Sequence, residues 1–288
     1  MNILGISAGF HDAAVSLINT QGDILFAGHR ERYSKIKNDE HFHYGLMEDV
    51  LKYCSPHHTD VAYYERPWLK QLRRIYSGEG FNCHGVTAKQ IVHHETSGHF
   101  TNSKIHTFNH HLCHAAAGFQ TSTFDRATVV VIDAIGEWDT ISIWAAEYVD
   151  GRAKYTRLWD QKYPHSIGLF YSAMTKRVGL APLDEEYILM GMAAYGTPRH
   201  YPFMYKNLLE DCSKLDFKLN LHTGVDSEFI AGADNMDIAA SSQMLVEQLI
   251  NNVMNIAVKL GKSNNLVYGG GVALNCLANR LLGKHYEN

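Results

Sequence analysis

Apolar residues along the chain follow two rhythms. Near the start, apolar runs at 3–7 and 13–18 flank the turn cluster Gly9-Phe10-His11-Asp12, and a third run at 23–27 follows Thr20-Gln21-Gly22. This pattern predicts three successive strands. Leu46, Val50 and Leu51 sit at helical spacing and predict a helix over 43–53. A short strand is expected at 61–64, helices at 68–76 and 88–100, and a helix body at 114–119. The run at 127–133, Ala-Thr-Val-Val-Val-Ile-Asp, is continuously apolar and β-branched up to its Asp. Such a run marks a strand covered on both faces. Residues 141–148 alternate and should return as a hairpin, and 155–159 extend the meander. A helical pattern covers 166–178, and a short segment at 191–195 closes on Gly196-Thr197-Pro198. The longest helix is predicted over 237–260. Asp237 stands at its start, Leu245, Leu249, Val253 and Ala257 line one face, and Gly261 follows its end. A strand at 266–268 runs into Gly269, Gly270 and Gly271, after which 272–282 read as a helix.

The pattern also contains a weak repeat. Ile6-Ser7-Ala8 with Asp12 and the following strand resembles Ile132-Asp133-Ala134 with Asp139 and its following strand. Two similar halves, each with a tight hairpin, would produce it. With 288 residues, the chain is long enough for one large α/β domain or two smaller ones. A hydrophobic share of 45% excludes a disordered class. No apolar run is long enough for a transmembrane helix, and residues 1–10 do not read as a secretory signal. The five cysteines, Cys54, Cys83, Cys113, Cys212 and Cys276, are scattered without a CxxC pair. This predicts a reduced, cytoplasmic protein without disulfides. The net charge of −4 argues against bulk electrostatic binding of nucleic acid.

Eighteen histidines raise the prior for metal or acid–base chemistry. The sharpest cluster is Asn109-His110-His111-Leu112-Cys113-His114. His110 and His114 are four apart and would share one helix face, able to hold a metal. His111 and His114, three apart, form an alternative pair. Asp133, at the end of the buried strand, is the natural third ligand. Gly269, Gly270 and Gly271, between a strand and a helix start, could seat a phosphate. Gly270 is expected where backbone must approach the nucleotide. Neither the Rossmann nor the Walker spacing applies. In His94-Glu95-Thr96-Ser97-Gly98-His99 the histidines are five apart, so HExxH is absent and a helix surface is expected. Arg66, Lys70, Arg73 and Arg74, interleaved with Trp68 and Tyr76, form a basic-aromatic stretch. It reads either as a solvated helix face or as a contact for an anionic substrate or nucleic acid.

In chain order the motifs resemble those of one family. They are Ile3-Leu4-Gly5-Ile6-Ser7 with His11-Asp12, Glu31-Arg32-Tyr33-Ser34-Lys35-Ile36-Lys37, and His110-His111-Leu112-Cys113-His114-Ala115-Ala116. Asp133 with Gly136-Glu137-Trp138 and Ser166-Ile167-Gly168-Leu169-Phe170-Tyr171 follow. Met190-Gly191-Met192-Ala193-Ala194-Tyr195-Gly196 and Gly269-Gly270-Gly271-Val272-Ala273-Leu274-Asn275-Cys276 complete the set. The chain thus resembles the O-carbamoyltransferases of the nodulation and antibiotic type, relatives of the transferase that makes threonylcarbamoyl-tRNA. The resemblance implies an α/β, actin/Hsp70/sugar-kinase-like duplicated domain, incomplete at its C-terminal end. Its halves are expected at 1–125 and 126–288, with a C-terminal adenylate-forming domain outside this chain, supplied in cis or in trans.

The implied chemistry is carbamoyl transfer. Carbamoyl phosphate and ATP give a carbamoyl-adenylate, whose carbamoyl group passes to an acceptor hydroxyl. The acceptor is a sugar, an antibiotic or a hydroxymethylated nucleotide, a small molecule ahead of nucleic acid. By the same resemblance His110, His114 and Asp133 match metal ligands, with iron as the ion and Mg2+ accompanying ATP. Gly136, Gly269, Gly270, Gly271 and Asn275 match the nucleotide site, and His11, Asp12 and Lys37 line the transfer site. A homodimer and no membrane partner are implied. Ile188 stands where the family commonly has a lysine. The alternatives are an actin-fold ATPase or small-molecule kinase, and a non-catalytic nucleotide-binding scaffold.

Overall fold

A computed structural model describes residues 1–211, 213 and 215–288. The chain divides into two compact units, Met1–Cys113 and His114–Asn288. The division falls inside the helix that carries the histidine cluster.

The first unit is built on a five-stranded sheet. Strands β1 (Asn2–Ser7), β2 (Ala14–Asn19) and β3 (Ile24–His29) form an antiparallel meander. The single turn α1 (Glu31–Ser34) and helix α2 (Tyr44–Leu51) lead to β4 (Thr59–Tyr63), which returns parallel to β1. Helices α3 (Pro67–Tyr76) and α4 (Ala88–Glu95) then lead to β5 (Ile105–Thr107), parallel to β4. The order is β3-β2-β1-β4-β5. Parallel neighbours need long crossovers, which the helices supply. The core gathers the alternate positions Leu4, Ile6, Val15 and Leu17 with Leu46, Val50, Val92 and Phe100. Helix α4 stops well short of residue 100. Its N-terminus has a full capping box on Thr87 and Gln90, and after its end Ser97 and Gly98 take left-handed backbone.

Helix α5 (His110–Gln120) crosses the division. In the second unit β6 (Arg126–Gly136), β7 (Asp139–Val149) and β8 (Arg152–Lys162) form a second antiparallel meander. Helix α6 (Ile167–Arg177), α7 (Glu186–Met192), α8 (Tyr201–Leu208) and a small hairpin of β9 (Leu209–Asp211) and β10 (Asp216–Phe217) follow. The long α9 (Asn235–Gly261) then leads to β11 (Leu266–Gly269), parallel to β6. The order β11-β6-β7-β8 repeats that of the first unit's β4-β1-β2-β3. Each unit is therefore a three-stranded meander whose first strand gains a parallel neighbour. That duplicated plan is the actin-like, sugar-kinase fold.

Three local expectations are corrected, and three elements had no local signal. The N-cap of α9 is Asp234, whose side chain accepts the Met236 N–H; Asp237 instead accepts the Thr197 N–H. The stretch 272–282 is not one helix but a 3₁₀ turn at Gly271–Leu274 followed by the four-residue α10 (Cys276–Asn279). Helices α7 and α8 and the β9–β10 hairpin carry too little periodicity to be read locally. The two hairpins also differ: β6–β7 turns over Glu137 and Trp138, whereas β1–β2 is joined by the wider loop 8–13. No helix is long and apolar enough to cross a membrane among the described residues. Cys54, Cys83, Cys113 and Cys276 form no disulfide among the described residues, and Cys212 lies outside them.

Candidate metal centre and glycine loop

In the second unit, several segments converge where the β6 ladder breaks. Residues of β6 pair with β7 as far as Ile132 opposite Ile141, and pairing resumes at Gly136 opposite Asp139. Asp133 opens that break, so it sits at an irregularity within the strand and not at its last residue. Breaks of this kind re-aim a side chain. Oδ1 of Asp133 accepts the Ala134 N–H at 2.8 Å. Oδ2 lies 3.4 Å from Nε2 of His114. Ser166 caps α6 and donates to the Ala134 carbonyl at 2.7 Å. A Cβ on Gly168 would stand 2.7 Å from the Ala134 Cα. Ser166 and Gly168 thus seat α6 on the backbone that carries Asp133. Sequence reasoning gave neither a role, although a glycine in the first turn of a well-formed helix is a packing signal.

His114 belongs to α5, and His110 opens the same helix one turn ahead, so both rings project from one helix face. The His110 ring meets Tyr64 edge-on, with centroids 5.3 Å apart. His111, the alternative partner, is fully buried, while His114 keeps a third of its side chain exposed. Burial therefore favours the four-residue pair. An imidazole nitrogen and a carboxylate oxygen 3.4 Å apart are spaced as two ligands of one ion, each about 2.1 Å from it.

The glycine loop runs beside this pair. A Cβ on Gly269 would lie 3.9 Å from that of His114, and one on Gly271 would lie 3.2 Å from Oδ1 of Asp133. Gly270 has φ +90°, and its Cβ would stand 2.3 Å from the Ile132 carbonyl oxygen. Gly270 is thus required by the approach of the loop to β6, a reason internal to the fold. The positive end of a long helix, expected after the loop, is absent because the 3₁₀ turn takes its place. Asn275 is buried. Its side-chain oxygen accepts the Ala278 N–H at 3.1 Å, and its amide pairs reciprocally with Gln243 at 3.0 Å. Tyr171 donates to the same Gln243 at 2.9 Å, and Cys276 Sγ is 3.8 Å from Met190 Sδ. Three of the motifs are thereby joined. Gly136 is buried in the tight hairpin, where Glu137 takes a left-handed φ of 62°. Asp139 is bound by Arg157 at 2.7 Å.

In the first unit, Nδ1 of His11 and Oδ2 of Asp12 are 2.8 Å apart. His29 bridges Asp12 and Glu31, at 3.7 Å from each. Lys37 is exposed on the loop that follows α1. That loop is tied to the 8–13 turn, for the Gly9 N–H donates to the Glu40 carbonyl and the Ala13 N–H to the Asp39 carbonyl, each at 2.9 Å. Asp39 pairs with Arg30 at 2.7 Å. Desolvation would raise its pKa, but hydrogen bonds from Ser34 and the His41 N–H, with Arg30, outweigh it and hold the carboxyl below the usual range. The basic-aromatic stretch proves to be largely paired. Lys70 binds the buried Glu65 at 3.0 Å, and Arg73 and Arg74 face Glu79 at 2.7 and 3.9 Å. Its exposed face is instead apolar, with Trp68, Leu72, Ile75 and Tyr76.

Comparison with known proteins agrees with the motif order. A protein of Synechocystis sp., sll1178, is 32% identical over 98% of this chain and 52% of its own length. The nodulation protein NolNO of Sinorhizobium fredii is 23% identical over 93% of this chain and 42% of its own. The chain spans about half the length of the curated relatives it matches. Among solved structures, component A of the (R)-2-hydroxyglutaryl-CoA dehydratase of Acidaminococcus fermentans aligns with a TM-score of 0.47 and 15% identity. That alignment covers 99% of this chain and 88% of that one. The model of the family described as carbamoyltransferase N-terminus matches residues 75–286, which is most of the chain, and the chain belongs to that family.

Proposed function

We propose that this chain serves O-carbamoyl transfer from a carbamoyl-adenylate, made from carbamoyl phosphate and ATP, to a hydroxyl of a small acceptor such as a sugar, an antibiotic or a hydroxymethylated nucleotide. The observation that carries the reading is the convergence on Asp133 of an imidazole from α5 and of Gly271 from the loop after β11. A cation-binding pair and a loop free of side chains are what an anionic adenylate needs on its phosphate side. In this reading His110, His114 and Asp133 hold a divalent ion, iron by family resemblance, with Mg2+ accompanying ATP. Such an ion supplies positive charge and polarisation near the phosphate and carbonyl. Gly269, Gly270 and Gly271 seat the nucleotide. Gly136 and Asn275, both buried, belong to the nucleotide site in this reading.

His11, Asp12 and Lys37 serve the acceptor. The hydroxyl oxygen attacks the carbamoyl carbon while the bond from that carbon to the phosphate oxygen breaks. AMP leaves with the electron pair, and the hydroxyl proton passes to the His11–Asp12 pair. The 2.8 Å contact between these side chains orients the imidazole for that task.

The test supplies synthetic carbamoyl-adenylate and a panel of hydroxyl acceptors, and reads carbamoylated product by mass. His11→Ala and Asp12→Asn should each slow transfer by about 10²–10⁴-fold. His114→Ala should lose the ion bound at the Asp133 site. ATP hydrolysis or sugar phosphorylation with no carbamoylated product from any acceptor would select the ATPase or kinase alternative.

A further inference from the structure

The segment that begins His94-Glu95 is not the plain helix surface expected from its spacing. Glu95 is the last residue of α4, and its side chain is only 4% exposed. A buried carboxylate at a helix C-terminus lies at the negative end of the macrodipole, the least favourable place for an anion. Something cationic or strongly donating must compensate it. One oxygen, Oε2, accepts the Phe42 N–H at 2.8 Å. The other, Oε1, faces two imidazole nitrogens at once: Nδ1 of His41 at 2.8 Å and Nδ1 of His94 at 3.3 Å. One ligand atom from each of His41, His94 and Glu95 lies within 4.8 Å of the other two.

We infer that His41, His94 and Glu95 form a second metal site, distinct from that of Asp133, for a borderline divalent ion of the zinc type. Two neutral imidazoles and one carboxylate are a common donor set for such an ion. With ligand distances near 2.1 Å, tetrahedral geometry places donors about 3.3–3.5 Å apart. The His94–Glu95 separation already meets this, and the His41–Glu95 separation must open by about half an ångström. The outer groups fit the same assignment. Nε2 of His41 lies 3.5 Å from Oε1 of Glu40, and the carboxylate of Glu95 is itself hydrogen-bonded by backbone. Ligating imidazoles and carboxylates are typically oriented in this way by outer partners. Both imidazoles are more than half exposed, which leaves an entry path and room for a water as fourth ligand. The ion would staple the loop that carries Lys37 to the end of α4, so its role is structural.

Equilibrium dialysis of the full chain against Zn2+, with metal content by atomic emission, tests this. His94→Ala should bind about one equivalent less than wild type, as should Glu95→Gln, which keeps an acceptor for the Phe42 N–H. Zn2+ should raise the thermal midpoint of wild type more than that of His94→Ala. The paired variant His57→Ala/His58→Ala, which removes exposed histidines elsewhere, should bind as wild type does. His114→Ala reports separately on the Asp133 site, so failure of either site is seen independently. Should Glu95→Gln not fold, the exposed His94→Ala decides alone. Equal zinc in wild type and His94→Ala, or an equal loss in the His57/His58 control, would overturn the assignment and leave a hydrogen-bonded cluster without an ion.

Discussion

Two adjacent glycines illustrate how differently one residue type can act. Gly270 combines left-handed backbone with a 2.3 Å approach of its Cβ position to the Ile132 carbonyl. Gly271 has neither constraint; its Cβ would only crowd Oδ1 of Asp133 at 3.2 Å. Gly270→Ala should therefore destabilise the fold by at least about 2 kcal/mol, from backbone strain and collision together. Gly271→Ala should keep its melting temperature but bind divalent ion and ADP more weakly. Thermal melting and calorimetric titration of both variants separate the two effects. A melting temperature for Gly270→Ala equal to that of wild type would refute the fold-based reason for that glycine.

At the scale of the element, α9 sets the second unit. Leu245, Leu249 and Val253 are fully buried along one face. Leu249→Ala should cost about 2–5 kcal/mol, read as a shift of the denaturation midpoint. The capping change tests the corrected helix start. Asp234→Ala should cost about 1 kcal/mol through loss of the Met236 N–H acceptor. Asp237→Ala should instead loosen the Thr197–Arg199 turn, which its carboxylate holds from within the first turn of α9. Amide exchange distinguishes the two, with fraying of α9 in the first and faster exchange at Thr197 in the second.

Across the whole molecule, buried phenols govern behaviour in alkali. Burial pushes the Tyr63 hydroxyl far above its ordinary range, and likewise those of Tyr171 and Tyr268. Burial and the Asp49 carboxylate raise Tyr33 to about 12. A folded pKa above the unfolded one means that the unfolded chain releases its protons first. Stability is therefore fully present below about pH 10 and declines as pH rises beyond it. Melting temperatures should be level from pH 8 to 9 and fall steadily toward pH 11. Tyr63→Phe loses the 2.9 Å bond to the Ala8 carbonyl, worth about 1 kcal/mol, and should flatten the alkaline slope. An unchanged slope in this variant would show that other groups carry the effect.

Local spacing was enough to read both meanders, the body of α9 and the helical pairing of His110 with His114, because strand and helix periods are written into neighbouring residues. The order of short motifs along the chain was likewise enough to recognise the family. Spacing could not choose between His110 and His111 as the partner of His114, because burial of His111 depends on packing against distant elements. Nor could it place Gly271 against Asp133, or require Gly270 for the approach to Ile132, since both contacts join the loop after β11 to β6. The stretch after Gly271 kept a helical pattern yet folded into short turns, with its Asn275 drawn into a buried network with Gln243 and Tyr171. His41 reached His94 and Glu95 from another segment altogether. In each case the deciding contact closes a long loop, and a long-range closure leaves no periodic trace in the residues on either side of it.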